Sequence, residues 1–316
     1  MYDDPDFIRT TKHFKQRRSA APPRRRFDDE PVRRGRLTEE ERGHLADLRD
    51  EPEPRPLPDD ADRWSTWDSG GHGPQPHPEW LVTELAAVDH ELGVLKTGKE
   101  ADVHLLRRSV PGGDACLLAA KRYRDADHRM FHRDGGYLEG RRLRRSREMR
   151  AIENRTSFGR GMIAQQWAVA EFTVLSGLWE AGAPVPYPAQ RVGTELLMEF
   201  IGGQDGTAAP RLAALRPSGE ELDELWAQLV NALTTLARHG FTHGDLSAYN
   251  VLVHEGRLVL IDLPQAVDVV TNPQGVDYLR RDVRNIAGWF RTRSGDESRF
   301  DPDELAVVLA AEANAR

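Results

Sequence analysis

The sequence has little cysteine, no long apolar run and no excess of basic residues. Cys116 is the only cysteine among 316 residues, which excludes a disulfide framework within the chain and favours a buried, inert thiol. No run of about 18 apolar residues is present, and the N-terminus MYDDPDFIRT lacks the layout of a secretory signal. A soluble cytoplasmic protein is therefore expected. The net charge of −7 and the pI near 5.9 exclude a polycation, so any nucleic-acid contact requires a local basic patch.

The first 76 residues lack a sustained apolar period and are rich in proline and charge. Such a segment cannot bury enough apolar surface to offset its conformational entropy, so we predict a disordered tail over residues 1–76. Within it, residues 37–50 have the pattern of a short amphipathic helix. The composition of residues 70–80 predicts a solvated Gly/Pro linker. The two histidines there could indicate a metal site, but no further ligands lie at suitable spacing.

Residues 77–316 have the patterns of a folded α+β domain. Alternating apolar residues between turn signals predict strands over 91–98 and 101–109, followed by a third strand in ACLLAAKRYR. Helical periodicity then extends over 162–182, and TELLMEF at 194–200 is typical of another strand. These elements predict a small antiparallel sheet in an N-lobe over about 77–200.

The remaining residues, about 201–316, predict a mainly helical C-lobe. Ser218 and Glu221 form a capping-box pattern at the start of a helix that ends at Gly240. NVLV and RLVLIDL, joined by HEG, predict a hairpin, and helices are expected around 276–291 and 302–313. Because ligands favour clefts between lobes, the functional site is expected there.

Asp245 and Asn250 lie five residues apart in HGDLSAYNVLV, immediately before an apolar strand. In kinase-type phosphoryl transfer, an Asp of the catalytic loop orients the attacking hydroxyl, and an Asn five residues later holds Mg²⁺. Gly244 stands where protein kinases usually have Arg. A simple hairpin turn uses the same residue types, so this pattern is only moderately specific on its own.

Three further charged residues follow the chain order that phosphoryl transfer requires. Lys121 closes the apolar strand LLAAK, where a lysine that anchors ATP is expected, and Asp262 ends RLVLID, where a second metal ligand is expected. Glu171 interrupts the apolar stripe of the intervening helix, and a buried carboxylate needs a partner such as Lys121. Each feature also has a simple structural explanation on its own. Lys121 could be a solvated lysine at a strand end, Glu171 a tolerated helical residue, and the Asp and Asn of the loop ordinary turn residues. The combination favours phosphoryl transfer.

At these positions the sequence resembles the RIO family of atypical serine/threonine protein kinases. The resemblance covers roughly residues 78–290 and is most specific in HGDLSAYN followed by IDLPQ. It implies a two-lobed protein-kinase-like fold, with ATP and Mg²⁺ as cofactors, and a non-specific serine/threonine kinase activity with an ATPase component. The matching segments are LKTGKEADV, AAKRYR, WAVAEF, LLMEFIGG, HGDLSAYNVLV, IDLPQAVD and YLRRDVRNI.

The resemblance also implies a role for each matching residue. Asp245 would be the catalytic aspartate, and Asn250 and Asp262 would bind Mg²⁺. Asp262 would in addition be the acceptor of an aspartyl-phosphate. Lys121 would hold the α- and β-phosphates of ATP and pair with Glu171.

The family resemblance assigns the rest of the nucleotide site to two backbone segments. Backbone groups of Glu199 and Ile201 would hydrogen-bond adenine. TGKEADV, which contains Lys99, would cover the phosphates in place of the absent G-x-G-x-x-G, and it does not satisfy the Walker pattern G-x-x-x-x-G-K-[ST]. Ala248 stands where the family has Glu, which puts the substrate contact at that position in doubt.

The end of the sequence differs from ordinary protein kinases. Asp262 is followed by Leu-Pro-Gln rather than by the Phe-Gly of D-F-G, no A-P-E is present, and 54 residues follow Asp262. The usual activation segment and peptide-docking helices are therefore not expected. A small-molecule phosphotransferase of the aminoglycoside-kinase type shares H-G-D-x-x-x-x-N, but it needs a longer helical part for its substrate pocket.

A basic insertion separates Lys121 from Glu171. Six arginines lie between Arg141 and Arg150, and Ser146 and Ser157 are candidates for the autophosphorylation that RIO members show in this loop. The insertion is either a solvated loop or a segment that binds RNA phosphates. Such binding displaces counterions and depends on salt concentration. The second alternative would make the protein a nucleotide-switched assembly factor of a ribonucleoprotein such as a ribosomal particle.

Overall fold

The computed structural model describes residues 56–124 and 157–314. Within these ranges a seven-stranded antiparallel sheet precedes a mainly helical part, which confirms the predicted two-lobed, kinase-like α+β architecture. Residues 1–55 of the predicted tail, the Arg141–Arg150 segment and Ser146 lie outside the described residues. Among the described residues, no helix is both long enough and apolar enough to cross a membrane.

The sheet has the strand order β1-β3-β4-β5-β7-β6-β2, and each neighbouring pair is antiparallel. A long helix, α1, lies between β5 and β6 in the chain and contacts β5, β6 and β7. The elements of the N-lobe are β1 (Arg63–Trp64), β2 (Gly71–His72), β3 (Val88–Thr97), β4 (Ala101–Ser109), β5 (Ala115–Tyr123), α1 (Ser157–Glu180), β6 (Pro188–Val192) and β7 (Glu195–Glu199).

The C-lobe consists of three helices and two small two-stranded sheets, one pairing β9 with β10 and the other β8 with β11. The predicted capping box is present, because the Ser218 hydroxyl accepts from the Glu221 N–H while the Glu221 carboxylate accepts from the Ser218 N–H. The elements are α2 (Gly219–Arg238), β8 (Phe241–Thr242), β9 (Val251–His254), β10 (Arg257–Leu260), β11 (Val267–Asp268), α3 (Gly275–Ser294) and α4 (Pro302–Asn314).

The fold begins earlier than the sequence predicted, since residues 57–76 are not a disordered extension. β1 pairs with β3 and β2 pairs with β6, so this segment adds both edge strands of the sheet. Trp67 is buried and stacks on the ring of His72 at 4.0 Å between centroids. His77, expected in a solvated linker, instead lies 2.7 Å from the Tyr187 hydroxyl. Docking against distant strands gives these residues the apolar burial that they lack alone.

The two largest of the three buried apolar clusters among the described residues lie one in each lobe. The smaller one joins Trp67, Leu106, Leu118 and Tyr187 inside the sheet and includes Cys116, where burial raises the thiol pKa as expected for an inert cysteine. The larger one packs the apolar faces of α2, α3 and α4 against the β9–β10 hairpin and the end of α1. The loops between β8 and β9 and between β10 and β11 are therefore carried on a rigid base.

Candidate active site

The centre of the site is Lys121, near the end of β5. The strand alternates, so Leu118 and Ala120 enter the core of the sheet while Lys121 and Tyr123 lie on the opposite face. Lys121 is only 7% exposed. A buried ammonium group requires anionic partners, and two are present.

The first partner is Glu171 on α1, at the position where the sequence predicted a charge on the inward face. Lys121 Nζ lies 2.7 Å from Glu171 Oε1, and the hydroxyl of Tyr123 donates to Glu171 Oε2. Glu171 is 1% exposed, so both oxygens of a fully buried carboxylate have partners. The predicted contact between Lys121 and Glu171 is confirmed.

The second partner is Asp262, which follows β10 and comes from the C-lobe. Lys121 Nζ lies 2.8 Å from Asp262 Oδ1, and Lys96 Nζ of β3 lies 3.2 Å from Asp262 Oδ2. Asp262 has φ = +67°, a left-handed conformation that is uncommon for a residue other than glycine and is found at functional sites. Lysines of two different strands thus each hold one oxygen of this carboxylate.

The electrostatics of the three groups are mutually reinforcing. Burial acts to lower the pKa of Lys121, but the charges of Glu171 and Asp262 outweigh it and hold that pKa above its ordinary value. Burial acts to raise the pKa of Asp262, but Lys121 and Lys96 hold it well below its ordinary value. At neutral pH Lys121 and Asp262 are therefore both charged.

Asp245 lies in the loop between β8 and β9, whose backbone is fixed by Asp282 of α3. The Asp282 carboxylate accepts from the Thr242 hydroxyl at 2.8 Å, the Gly244 N–H at 2.6 Å and the Leu246 N–H at 3.0 Å. Asp282 is 1% exposed, whereas Asp245 is exposed. A buried anchor therefore presents Asp245 to solvent at a defined place.

Gly244 is required by this loop. Its φ is +82°, and a Cβ there would lie 1.9 Å from the carbonyl oxygen of Gln265. The arginine that protein kinases usually have at this position cannot be accommodated, because any side chain would clash with backbone. The loop after Asp262 thus packs directly against the loop that carries Asp245.

Asn250 is joined to the segment that carries Asp262. The Ile261 N–H donates to the Asn250 carbonyl at 3.0 Å, and His243 Nε2 donates to the Ile261 carbonyl at 3.0 Å. The Asn250 amide nitrogen donates to the Asp245 carbonyl at 3.0 Å, which leaves the amide oxygen available to coordinate a cation. The structure thus holds together the loops of Asp245, Asn250 and Asp262.

The donor set fits a magnesium ion. Mg²⁺ prefers oxygen ligands and is often held by one or two protein groups together with substrate phosphates. Asn250 offers an amide oxygen and Asp262 a carboxylate. Since the two lysines contact both carboxylate oxygens, a cation at Asp262 would either share an oxygen with a lysine or displace that lysine.

The remaining predicted nucleotide-binding residues are at the expected places in the fold. Glu199 ends β7; its N–H donates to the Tyr187 carbonyl at 2.8 Å, and its carboxylate accepts from the Tyr187 N–H at 3.0 Å. The Ile201 carbonyl accepts from the Ala209 N–H at 2.9 Å. Lys99 is exposed in the turn between β3 and β4. Their contacts to a nucleotide stay predictions.

Sequence reasoning gave no role to Lys96, Tyr123 or Asp282. Lys96 lies just beyond a register shift in β3, where the period-2 pattern no longer tells which face a residue takes. Tyr123 was visible as the second residue after Lys121, hence on the same face of β5. Asp282 had a signal as well, because it occupies a buried position on α3 between Leu279 and Ile286.

Comparison with known proteins shows the family to which the chain is similar. A family model described as the RIO domain matches residues 123–305. The RIO-type serine/threonine-protein kinase Rio1 of Haloferax volcanii is 37% identical over 205 residues, which are 65% of this chain and 64% of that protein. The serine/threonine-protein kinase RIO1 of Chaetomium thermophilum is 34% identical over 213 residues, 65% of this chain and 40% of that protein. The chain thus spans less than two thirds of the length of these curated relatives.

Proposed function

Because this chain belongs to the RIO family, we propose that it is a serine/threonine protein kinase that transfers a phosphoryl group from Mg-ATP. One observation carries the proposal. The buried Lys121 ammonium contacts Glu171 of the N-lobe at 2.7 Å and Asp262 of the C-lobe at 2.8 Å. The arrangement places Lys121, the proposed phosphate-binding lysine, beside Asp262, the proposed metal ligand. It also forms the Lys–Glu pair that kinase-type phosphoryl transfer requires.

Lys121 supplies positive charge to the phosphates of ATP. Glu171 holds the ammonium group in place and is itself held by the Tyr123 hydroxyl. Lys121 can therefore exchange its contact with Asp262 for a phosphate oxygen without leaving its position. An ammonium group fixed in a water-poor cleft stabilises developing phosphate charge more than a solvated one does. Asn250 and Asp262 would hold Mg²⁺, which neutralises the triphosphate.

Asp245 acts on the acceptor. Its exposed carboxylate orients the hydroxyl of a Ser or Thr substrate and accepts its proton, while the oxygen of that hydroxyl attacks the γ-phosphorus and ADP leaves. Because Asp282 anchors the backbone of this loop, the Asp245 carboxylate is already held close to the orientation that the reaction needs.

A second route within the same site uses Asp262 itself as the acceptor. One carboxylate oxygen would bond to the γ-phosphorus as the bond to the β-phosphate oxygen breaks, giving an acyl phosphate and ADP. Water would then hydrolyse the acyl phosphate to inorganic phosphate, so that the net reaction is that of an ATPase. The support is the position of Asp262, since Lys121 and Lys96 flank its two oxygens.

Mg-ATP turnover by the wild type, Asp245→Asn and Asp262→Asn tests the proposal and separates the routes. We expect both variants to lose activity by about 100-fold or more. Acid-stable phosphate on Ser or Thr supports the kinase route, whereas hydroxylamine-labile phosphate that is absent from Asp262→Asn supports the acyl phosphate. Full activity in both variants contradicts the proposal.

We also propose that the Arg141–Arg150 segment contacts RNA. The support is its sequence, in which six of ten residues are arginine, since each phosphate contact adds to the salt dependence of binding. The affinity for a structured RNA, measured against salt concentration, should decrease less steeply when Arg141, Arg142, Arg144, Arg145 and Arg147 are replaced by Gln. An unchanged slope contradicts this contact.

A further inference from the structure

A groove with three arginines opens on one face of α3, outside the nucleotide site. Its volume is about 410 Å³, and its lining comprises Asp277, Arg280, Arg281, Arg284 and Asn285. These positions repeat at three and four residues, so they occupy one face of the helix. The groove carries three positive charges and one negative charge.

The groove adjoins the catalytic loop. The guanidinium of Arg281 donates to the carbonyl of Gly244, the residue before Asp245. Asp282, the next residue of α3, accepts from the Gly244 N–H at 2.6 Å. Helix α3 therefore contacts both the N–H and the carbonyl of Gly244, and a ligand in the groove would lie next to the loop that carries Asp245.

The positive charge of the groove is only weakly neutralised. Arg280 lies 3.6 Å from Asp277 and Arg284 lies 3.0 Å from Asp303, and all four side chains are more than half exposed. Exposed pairs of this kind contribute little and exchange readily. Among the residues that the structure describes, Arg281 is paired with no carboxylate; it contacts a neutral carbonyl and the ring of Tyr278.

The spacing of the outer arginines fits an extended peptide. Arg280 and Arg284 are one helical turn apart, about 6 Å along the axis. Side chains on one face of an extended chain recur about every 6.6 Å. Each guanidinium can thus bind one acidic group of the peptide, either a carboxylate or a phosphate, on every second residue. A guanidinium binds such groups bidentately.

The acidic residues at the groove favour a peptide over a nucleic acid. Asp277 and Asp303 have side chains 76% and 75% exposed next to the arginines. They would repel a continuous chain of phosphates, whereas a peptide can place neutral residues opposite them.

We propose that this groove binds an acidic segment of a protein substrate, through Arg280 and Arg284, and so places a neighbouring Ser or Thr beside Asp245. The second half of this statement rests on the proposed kinase function, whereas the binding does not. The groove would thus give a protein substrate a contact outside the nucleotide site.

Binding of labelled peptides to the full chain tests the proposal without any turnover. One peptide has a central Ser flanked by eight residues in which Glu and Gly alternate. In its control peptide, every Glu is replaced by Gln. The groove variant is Arg280→Gln/Arg284→Gln. Its matched control is Arg107→Gln/Arg257→Gln, which removes two exposed arginines of β4 and β10. Fluorescence anisotropy measures each affinity, and a ten-residue oligouridylate is the nucleic-acid probe.

We expect the groove variant to bind the Glu peptide about five to tenfold more weakly than the wild type, with no loss in the control variant. Equal losses in both variants, or none in either, would overturn the proposal. A loss confined to the oligouridylate would instead assign the groove to nucleic acid. If circular dichroism shows that the double variant does not fold, the single variant Arg280→Gln replaces it. We expect that variant to bind the Glu peptide about threefold more weakly than the wild type. If the wild type has no kinase activity but shows these peptide affinities, the kinase proposal fails while the binding role of the groove stands.

Discussion

Among the residues that the structure describes, a buried ionic cluster inside the sheet and one at the cleft differ in how completely they are closed. In the sheet, Arg108 is fully buried and donates to both oxygens of Asp89, at 2.7 and 3.1 Å, and to Gln190 at 3.1 Å. At the cleft, Lys121 divides one ammonium between Glu171 and Asp262, and the Asp262 side chain is 31% exposed.

The difference is the one expected between a structural cluster and the proposed nucleotide site. A planar guanidinium bound bidentately and covered on all sides fixes one geometry, here between β3, β4 and β6. An ammonium is a compact charge that can exchange one partner for another while it stays in place. The open side of the cleft cluster, where Lys96 also contacts Asp262, is the side from which phosphates and a cation would enter.

The largest expected effect breaks the closed cluster. Asp89→Ala leaves the Arg108 guanidinium buried without its carboxylate, so the free energy of unfolding should fall by about 3–5 kcal/mol. Asp223→Ala is the matched control, because its pair with Arg299 is exposed and should contribute less than about 1 kcal/mol. Urea denaturation measures both. Similar losses in the two variants would show that the sheet cluster has no special structural role.

A smaller effect on stability is expected from the open cluster. In Asp262→Asn, Lys121 keeps Glu171 as its partner and Lys96 returns to solvent, so the free energy of unfolding at pH 7 should fall by less than about 2 kcal/mol.

The stability that Asp262 contributes should also depend on pH. Its folded-state pKa lies below the ordinary value of 3.8, so its contribution is present above pH 4 and is lost as the pH falls toward the folded-state pKa. Urea denaturation between pH 7 and pH 2.5 should show the wild type and Asp262→Asn converging in acid. A difference that stays constant over this range contradicts the charge pairing.

The smallest effect concerns Lys96. Lys96→Met removes the ammonium that competes with a cation for Asp262 Oδ2, so the affinity for Mg²⁺ without nucleotide should rise, by about fivefold at most. Lys96→Arg keeps a positive charge at the carboxylate and should leave the affinity unchanged. Calorimetric titration with Mg²⁺ measures both variants. Weaker binding by Lys96→Met would show that Lys96 does not compete for the site.

The sequence predicted the pair of Lys121 and Glu171 because Lys121 closes an apolar strand where an ATP-anchoring lysine is expected, and Glu171 interrupts the inward apolar stripe of the next helix. The element types and their chain order were predictable for the same reason, since the core-facing positions of α2 and α3 are strongly periodic. The capping box at Ser218 is a local interaction, and local interactions can be recognised without knowledge of the fold.

Contacts between distant segments were not predictable in this way. Residues 57–76 have few apolar side chains, and their order depends on contacts with residues far along the chain. Trp67 packs in one buried cluster with Tyr187, and the Gln190 amide nitrogen donates to the Thr66 hydroxyl at 3.0 Å. The role of Lys96 depends on bulges in β3 that shift the register against β4. The groove on α3 required the placement of the helix beside Gly244, which no spacing in the sequence indicates.

Calorimetric titration with a nonhydrolysable ATP analogue, with and without Mg²⁺, tests the assignment of the cleft cluster most directly. The assignment predicts that the wild type binds the analogue at least about tenfold more tightly with Mg²⁺, and that Asp262→Asn loses this dependence while it stays folded. Absence of binding by the wild type, or an equal effect of Mg²⁺ on both proteins, would contradict it.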